Sequence, residues 1–132
     1  RNLAKVKMAY YAVQNVVSVF DGNLVRQTDY DCTIDCEAPI TWFAYRHEKA
    51  GSDVLVFWNG TSFPVDTNDS LPATISVEGG KFADPVWADL ISGRIEEIPE
   101  QCKSLAEGKM VLREIPTYDG PLIITDRKTV LK

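Results

Sequence analysis

The hydrophobic period of this chain changes once, at Asn23, and this change constrains the fold more than any other feature. Between residues 3 and 20 the apolar side chains recur at steps of three or four, which predicts one α-helix. After Asn23 the apolar runs are short, have a period of two and are separated by Gly, Asn, Asp and Pro turn signals. We therefore expect a mainly β chain, an antiparallel β-sandwich of about eight strands with one N-terminal α-helix.

The predicted strands are joined by connections too short for parallel crossovers, so we expect antiparallel pairing. They cover residues 24–34, 40–46, 53–58, 73–78, 85–90, 93–98, 109–114 and 122–126. The clearest hairpin joins residues 86–90 to 94–98, where Gly93 can adopt the positive φ that the turn needs. The unbroken apolar run at 121–124 predicts a central strand that is covered on both faces. Residues 99–108 are predicted to be a polar connection with room for one helical turn.

The predicted helix is apolar around nearly its whole circumference. One stripe consists of Leu3, Val6, Tyr10, Val13, Val17 and Phe20, and the other side carries Met8, Tyr11, Ala12, Val16 and Val19. A helix of this kind needs cover on two sides. We expect the β-sandwich, residues 24–132, to cover one side of residues 1–23, and a domain outside this chain to cover the other. The expected domain-interface residues, unless the sandwich itself wraps the helix, are Tyr10, Tyr11, Val16 and Val19.

The charge and hydropathy of the chain argue against two classes of partner. With a net charge of −5, a pI near 4.8 and scattered basic residues, the chain lacks the clustered Lys and Arg that phosphate contacts need. We therefore expect no nucleic-acid partner. No apolar run approaches the roughly 20 residues that span a bilayer, so we expect no membrane partner. The length of 132 residues corresponds to one domain of ordinary size.

Cysteine and histidine usage predicts neither a metal nor a cofactor. The chain has three cysteines, Cys32, Cys36 and Cys102, and one histidine, His47, without the spacing of zinc ligands. On one extended strand Cys32 and Cys36 would lie about 13 Å apart, too far for a disulfide, although a bulge could bring them together. Small buried thiols are the favoured interpretation, and one disulfide is the alternative.

Large aromatic residues provide the candidate binding site. Together with two tyrosines, Trp42, Trp58 and Trp87 could form a platform on which sugar rings stack, but such side chains in a small domain are more often core or interface. Trp42 and Trp58 lie in apolar runs that are typical of packed strands. Packing is therefore the favoured interpretation, and the three tryptophans are the candidate carbohydrate-binding residues.

Two stretches resemble a known family. Residues 9–15 (A-Y-Y-A-V-Q-N), running into residues 19–21, resemble the last helix of the (β/α)8 barrel in retaining glycoside hydrolases. Residues 85–99 and 115–126, which contain P-V-W-A-D-L-I-S-G-R and D-G-P-L-I-I-T-D, resemble the β-sandwich that follows this barrel in many of these enzymes. The resemblance implies that the catalytic carboxylates belong to a barrel that this chain lacks, so no catalytic residue is assigned. It also favours a secreted or periplasmic location.

The resulting expectation is a non-catalytic accessory domain that packs against a barrel of the same parent chain and stabilises it. A carbohydrate-binding module with its own aromatic site is the first alternative. A protein-interaction domain that uses the helix for docking is the second. Exposure of Tyr11, Val16 and Val19 would favour a missing partner, whereas burial of these residues by the sandwich would not.

Overall fold

The structure is a computed structural model that describes residues 24–60, 70–79, 81–90 and 93–130. The helix predicted over residues 3–20 lies outside the described residues, and so do the expected interface residues Tyr10, Tyr11, Val16 and Val19. The division of the chain at residue 23 therefore stays a prediction.

Ten strands in the described part of the chain form two antiparallel sheets. The six-stranded sheet contains, in spatial order, β1 (Leu24–Gln27), β3 (Ile40–His47), β4 (Ser52–Asn59), β10 (Leu122–Asp126), β6 (Pro85–Asp89) and β7 (Ile95–Glu97). The four-stranded sheet contains, in spatial order, β2 (Cys32–Cys36), β5 (Leu71–Glu78), β9 (Lys109–Thr117) and β8 (Lys103–Ala106). A 3₁₀ turn at Glu100–Cys102 precedes β8, and a short helix, α1, spans Arg127–Val130.

Both sheets contribute one face to a common hydrophobic core. Its centre consists of Leu55, Phe57 and Ile124 from the six-stranded sheet and Ile75 and Leu112 from the four-stranded sheet, all fully buried. Alternate residues of a strand point to opposite faces, so a sequence period of two is what such a core requires. The mainly β, antiparallel fold predicted from the sequence is confirmed.

The single strand predicted over residues 24–34 is wrong, because the chain changes sheet within it. Leu24–Gln27 forms β1, which pairs with β3, whereas Cys32–Cys36 forms β2, which pairs with β5 in the other sheet. Tyr30 lies in the connection, and its ring is buried in the common core. Burial of this one large side chain holds the crossing point in place, and the hydrophobic period of the sequence does not reveal it.

The connection predicted over residues 99–108 contains a strand as well as its helical turn. This strand, β8, lies at the edge of the four-stranded sheet and pairs with β9. Leu105 is 63% exposed, so β8 lacks the buried alternation by which a strand is recognised in a sequence. The described strands therefore number ten instead of about eight. The predicted hairpin of β6 and β7 is confirmed, with Val86 opposite Glu97 and Gly93 at a φ of 77°.

Candidate functional site

The side of the six-stranded sheet that faces away from the common core is apolar, and we call it the outer face. At its centre, Val54 and Val56 of β4, Ile123 of β10 and Ala88 of β6 form a second hydrophobic cluster. The register places these side chains next to one another, since Ile123 lies opposite both Val56 and Ala88. A partly buried rim surrounds this centre and consists of Leu24, Tyr45, Trp58, Leu90 and Ile95.

The central strands of this sheet are buried on both faces. On the outer face Val54 is 0% exposed, Ile123 2%, Ala88 4% and Val56 6%, although the inner faces of the same strands line the common core. Every residue of β10 is buried, which confirms the prediction of a central, doubly covered strand at residues 121–124. The outer side chains at the centre of this sheet are thus as dry as its inner ones.

The four-stranded sheet has the opposite character on its own outer side. Ile34 of β2 and Ile75 of β5 point into the common core, whereas Thr33 and Asp35 of β2 are exposed. Apolar and polar residues thus alternate, as they do in an antiparallel sheet that has one face in water. The difference between the two sheets singles out the outer face of the larger one as the candidate interaction site.

Aromatic side chains extend the outer face across β3 and β4. The ring centroids of Phe43 and Trp58 lie 5.9 Å apart with an interplanar angle of 43°, and both side chains are partly buried. The guanidinium carbon of Arg26 lies 4.4 Å from the centroid of the Phe43 ring. The rings are therefore tilted, and one of them already has a cation on its face. Sequence reasoning named Trp58 but missed Phe43 and Arg26, although alternation along β3 could have found Phe43.

The three predicted carbohydrate-binding residues do not share one surface. Trp42 packs against the common core, whereas Trp58 lies on the outer face. Trp87 is 2% exposed, and its Nε1 donates a 3.0 Å hydrogen bond to the carbonyl oxygen of Pro116 in the other sheet. The guanidinium carbon of Arg94 lies 5.3 Å from the centroid of the Trp87 ring. Trp87 therefore joins the two sheets, and Trp58 alone of the three belongs to the candidate site.

A polar cluster around the buried carboxylate of Asp53 closes one end of the common core. The Asp53 carboxylate accepts hydrogen bonds from Tyr30 Oη at 3.0 Å, Arg46 Nη1 at 3.0 Å and Gln27 Nε2 at 3.2 Å. Burial, followed by the nearby Asp53 charge, raises the pKa of the Tyr30 hydroxyl. Because these donors engage both oxygens of the carboxylate, the cluster joins β1, β3, β4 and the crossing connection.

A groove of about 380 Å³ next to β7, the 3₁₀ turn and α1 is lined by three carboxylates, Asp84, Glu97 and Glu100, and by two cations that pair with them, Lys103 and Arg127. Arg127 Nε donates to Asp84 Oδ2 at 2.9 Å, and Arg127 Nη1 lies 2.6 Å from Glu97 Oε1. The hydrogen bond from Arg127 lowers the pKa of the Asp84 carboxyl. Lys103 Nζ lies 3.2 Å from Glu100 Oε1. Both cations that line this groove are thus already paired with carboxylates.

The three cysteines are free and partly buried. Cys32 and Cys36 stand at the two ends of β2, so the extended geometry expected to separate them is present. Burial raises the pKa of the Cys32 thiol to about 12, which keeps it protonated near neutral pH. Within the described ranges, no group of three or more His, Cys, Asp or Glu side chains is placed to hold a metal ion. No helix in those ranges is long and apolar enough to cross a membrane.

The fold and the site together define a mainly β protein with two antiparallel sheets, the larger of which is buried on both faces at its centre. Comparison with known protein families, curated proteins and solved structures finds no match for this chain. The resemblance to the domain that follows a glycoside-hydrolase barrel therefore rests on the sequence motifs alone.

Proposed function

We propose that this chain is the non-catalytic accessory β-sandwich of a glycoside-hydrolase-type protein, joined to a catalytic (β/α)8 barrel through an N-terminal helix at residues 1–23. The observation that carries the proposal is the partly exposed apolar rim of the outer face. Apolar and aromatic side chains that stay partly exposed around a buried centre can form an interface with another folded unit. The partner that the sequence motifs favour is the barrel of the same parent chain.

The rim of the outer face supplies the contacts for this partner. Tyr45 and Trp58 are large, partly buried side chains that flank the buried centre on the β3–β4 side. Each large aromatic side chain can bury about 150–250 Å² of surface, so such residues dominate the energetics of interfaces. Leu90 and Ile95 provide a smaller apolar surface on the β6–β7 side.

The buried carboxylates support a structural role for this domain. Asp53 is held by three side-chain donors, and Asp126 Oδ1 accepts the backbone N–H groups of Ala83 and Asp84, both at 2.8 Å. A retaining glycosidase needs two carboxyl groups about 5 Å apart across a cleft. Carboxylates that are committed to fixed structural donors do not meet that need. Asp53 and Asp126 are therefore structural, and following the sequence motifs we assign hydrolysis to the barrel and stabilisation of the barrel to this domain.

A carbohydrate-binding module is the second candidate, and Trp58 is the observation that favours it. Its indole lies on the outer face beside Phe43, where a sugar ring could stack on an aromatic surface. The 43° tilt between the two rings and the Arg26 guanidinium over Phe43 make this surface less suited to a flat sugar than to an irregular protein surface.

The test uses the parent protein, expressed in two pieces: the region upstream of this chain, and residues 1–132. We expect the pieces to co-purify and the upstream piece to carry the hydrolase activity. Trp58→Lys, on the rim, is expected to weaken the complex, whereas the control Thr33→Lys, on the exposed side of the other sheet, is expected to leave it intact. An upstream region without a barrel, or a Trp58→Lys complex as stable as the wild type, would contradict the proposal.

The same material separates the two candidate functions. Retention of the 132-residue chain on immobilised polysaccharides, with loss of retention in Trp58→Ala, would favour the carbohydrate-binding module. Co-purification with the upstream piece and no retention on any polysaccharide of the panel would favour the accessory domain.

A further inference from the structure

The buried strip at the centre of the outer face has the width of one α-helix. Its side chains come from the adjacent strands β4, β10 and β6, so at about 4.8 Å per strand the strip is about 10 Å wide. An α-helix with its side chains is about 10–12 Å across. On either side, Tyr45 of β3 and Ile95 of β7 are only partly buried. Next to the strip the burial therefore decreases, except at His47 at the end of β3, which is 5% exposed.

None of the described helices or strands lies over this strip. The second hydrophobic cluster consists of residues of the six-stranded sheet and of Leu90, which directly follows β6, and α1 contacts β10. No residue of α1 or of the four-stranded sheet belongs to the cluster, which leaves the stretches outside the described ranges as the candidates for its cover. Two stretches there are longer than two residues, 1–23 and 61–69. Residues 61–69 are mostly polar and lead from β4 to β5 of the other sheet.

We propose that residues 3–20 form a helix that docks on the outer face, over β4, β10 and β6. An 18-residue helix is about 27 Å long, which is also about the length of an eight-residue strand such as β4. Leu24, the first residue of β1, belongs to the same cluster, so residues 21–23 have only to connect the end of the helix to the edge of this face. The stripe that contains Val13 and Val17 faces the sheet.

The opposite side of the helix then faces away from the sheet, and Tyr11 and Val19 lie on it. In the parent protein this side is where the barrel would pack, and that part of the inference rests on the proposed function. The docking of the helix on the sheet does not depend on it. The helix is thus a shared layer, with one apolar stripe for each neighbour.

Val17 and Val19 provide a matched pair for a test on the full chain, because they lie about 160° apart around a helix. Val17→Asp places a charge on a dry face, so we expect the folding equilibrium to shift at least about 30-fold towards the unfolded state, which corresponds to about 2 kcal/mol. Val19→Asp is expected to shift it less than about 3-fold, or about 0.7 kcal/mol. Urea unfolding followed by tryptophan fluorescence measures both. Equal shifts for the two variants, or no shift for Val17→Asp, would overturn the placement.

Nuclear Overhauser spectra of methyl groups test the same placement in the unsubstituted chain, even if Val17→Asp fails to fold. We expect cross-peaks from Val13 or Val17 methyls to the methyls of Val56 or Ile123, and their absence would overturn the inference. Cross-peaks that occur only between differently labelled molecules would show that a second copy covers the face, which would also overturn it. Absence of a barrel upstream would refute the proposed function and leave these cross-peaks unchanged.

Discussion

Ile123 and Ile124 are adjacent in β10 and point to opposite faces of the six-stranded sheet. Replacing each of them by Ala therefore compares how tightly side chains are packed on the two faces. Ile124 is 0% exposed in the common core, where Leu55 and Trp87 lie opposite it on the neighbouring strands. Ile123 is 2% exposed at the centre of the outer face, between smaller side chains of β4 and β6. The two residues have the same chemistry and nearly the same burial, and they differ in their neighbours and in the face that they occupy.

Replacement of a buried Ile by Ala lowers the free energy of unfolding by about 2–5 kcal/mol, through lost burial and the cavity that remains. We expect about 3–5 kcal/mol for Ile124→Ala, because its large neighbours hold the cavity open. For Ile123→Ala we expect about 2–4 kcal/mol, because smaller neighbours allow part of the space to collapse. If the outer face were in water, Ile123→Ala would cost only about 0.5 kcal/mol.

Urea unfolding of the full chain, followed by tryptophan fluorescence, distinguishes these outcomes. With a denaturant slope of about 1.5 kcal/mol per molar urea, a loss of 3 kcal/mol lowers the unfolding midpoint by about 2 M. Val111→Ala, on the outward side of the four-stranded sheet, is the control and is expected to cost less than about 1 kcal/mol. A large loss for Ile124→Ala beside an unchanged midpoint for Ile123→Ala would refute the argument that the outer face is covered.

Three further predictions concern single side chains. Tyr30→Phe should lower the free energy of unfolding by about 1.5–3 kcal/mol, since the buried Asp53 carboxylate loses a donor, and thermal unfolding measures this loss. Cys32 should resist iodoacetamide at pH 8, because a pKa of about 12 leaves little thiolate, and mass spectrometry of labelled peptides reports this. Glu107→Asn should stabilise the chain by about 0.5–1 kcal/mol in urea unfolding, because Glu107 has a φ of 56° in the two-residue turn with Gly108, where Asn-Gly is favoured.

The raised pKa of Cys32 also gives the sign of a pH effect. The folded state holds the thiol proton more tightly than the unfolded chain does, so the stabilising contribution is complete below the unfolded pKa of about 8.5. It is lost as the pH rises towards 12. Above about pH 9, the stability of the wild type should therefore fall more steeply than that of Cys32→Ala.

Each of these expectations has an outcome that would count against it. A Tyr30→Phe chain as stable as the wild type would show that the hydrogen bond from Tyr30 to Asp53 does not stabilise the fold. Labelling of Cys32 in the folded chain as fast as in urea, or parallel pH profiles for wild type and Cys32→Ala, would contradict the effect of burial on the thiol. Destabilisation by Glu107→Asn would mean that the Glu side chain makes a contact worth more than the backbone strain.

The sequence predicted the parts of the fold that depend on local pattern. Gly93 and the alternation on both sides of it predicted the β6–β7 hairpin, because turn chemistry and side-chain direction are local properties. The edge strand β8 was missed, since residues with no face to bury leave no period in the sequence. The candidate site was found only in part: Trp58 was named, and Phe43 was not. Trp42 and Trp87 were grouped with Trp58 because residue type does not show on which face a side chain lies.

By itself, the sequence determined the mainly β character of the described chain, the antiparallel pairing and the double cover of the strand at residues 122–126. Each of these depends on the order of apolar, polar and turn residues over about ten positions. Only the tertiary structure decided that the chain changes sheet at Tyr30 and that Val54 and Ile123 lie at the centre of one buried face. The burial of a face depends on which distant element lies against it, and no short run of residues records that neighbour.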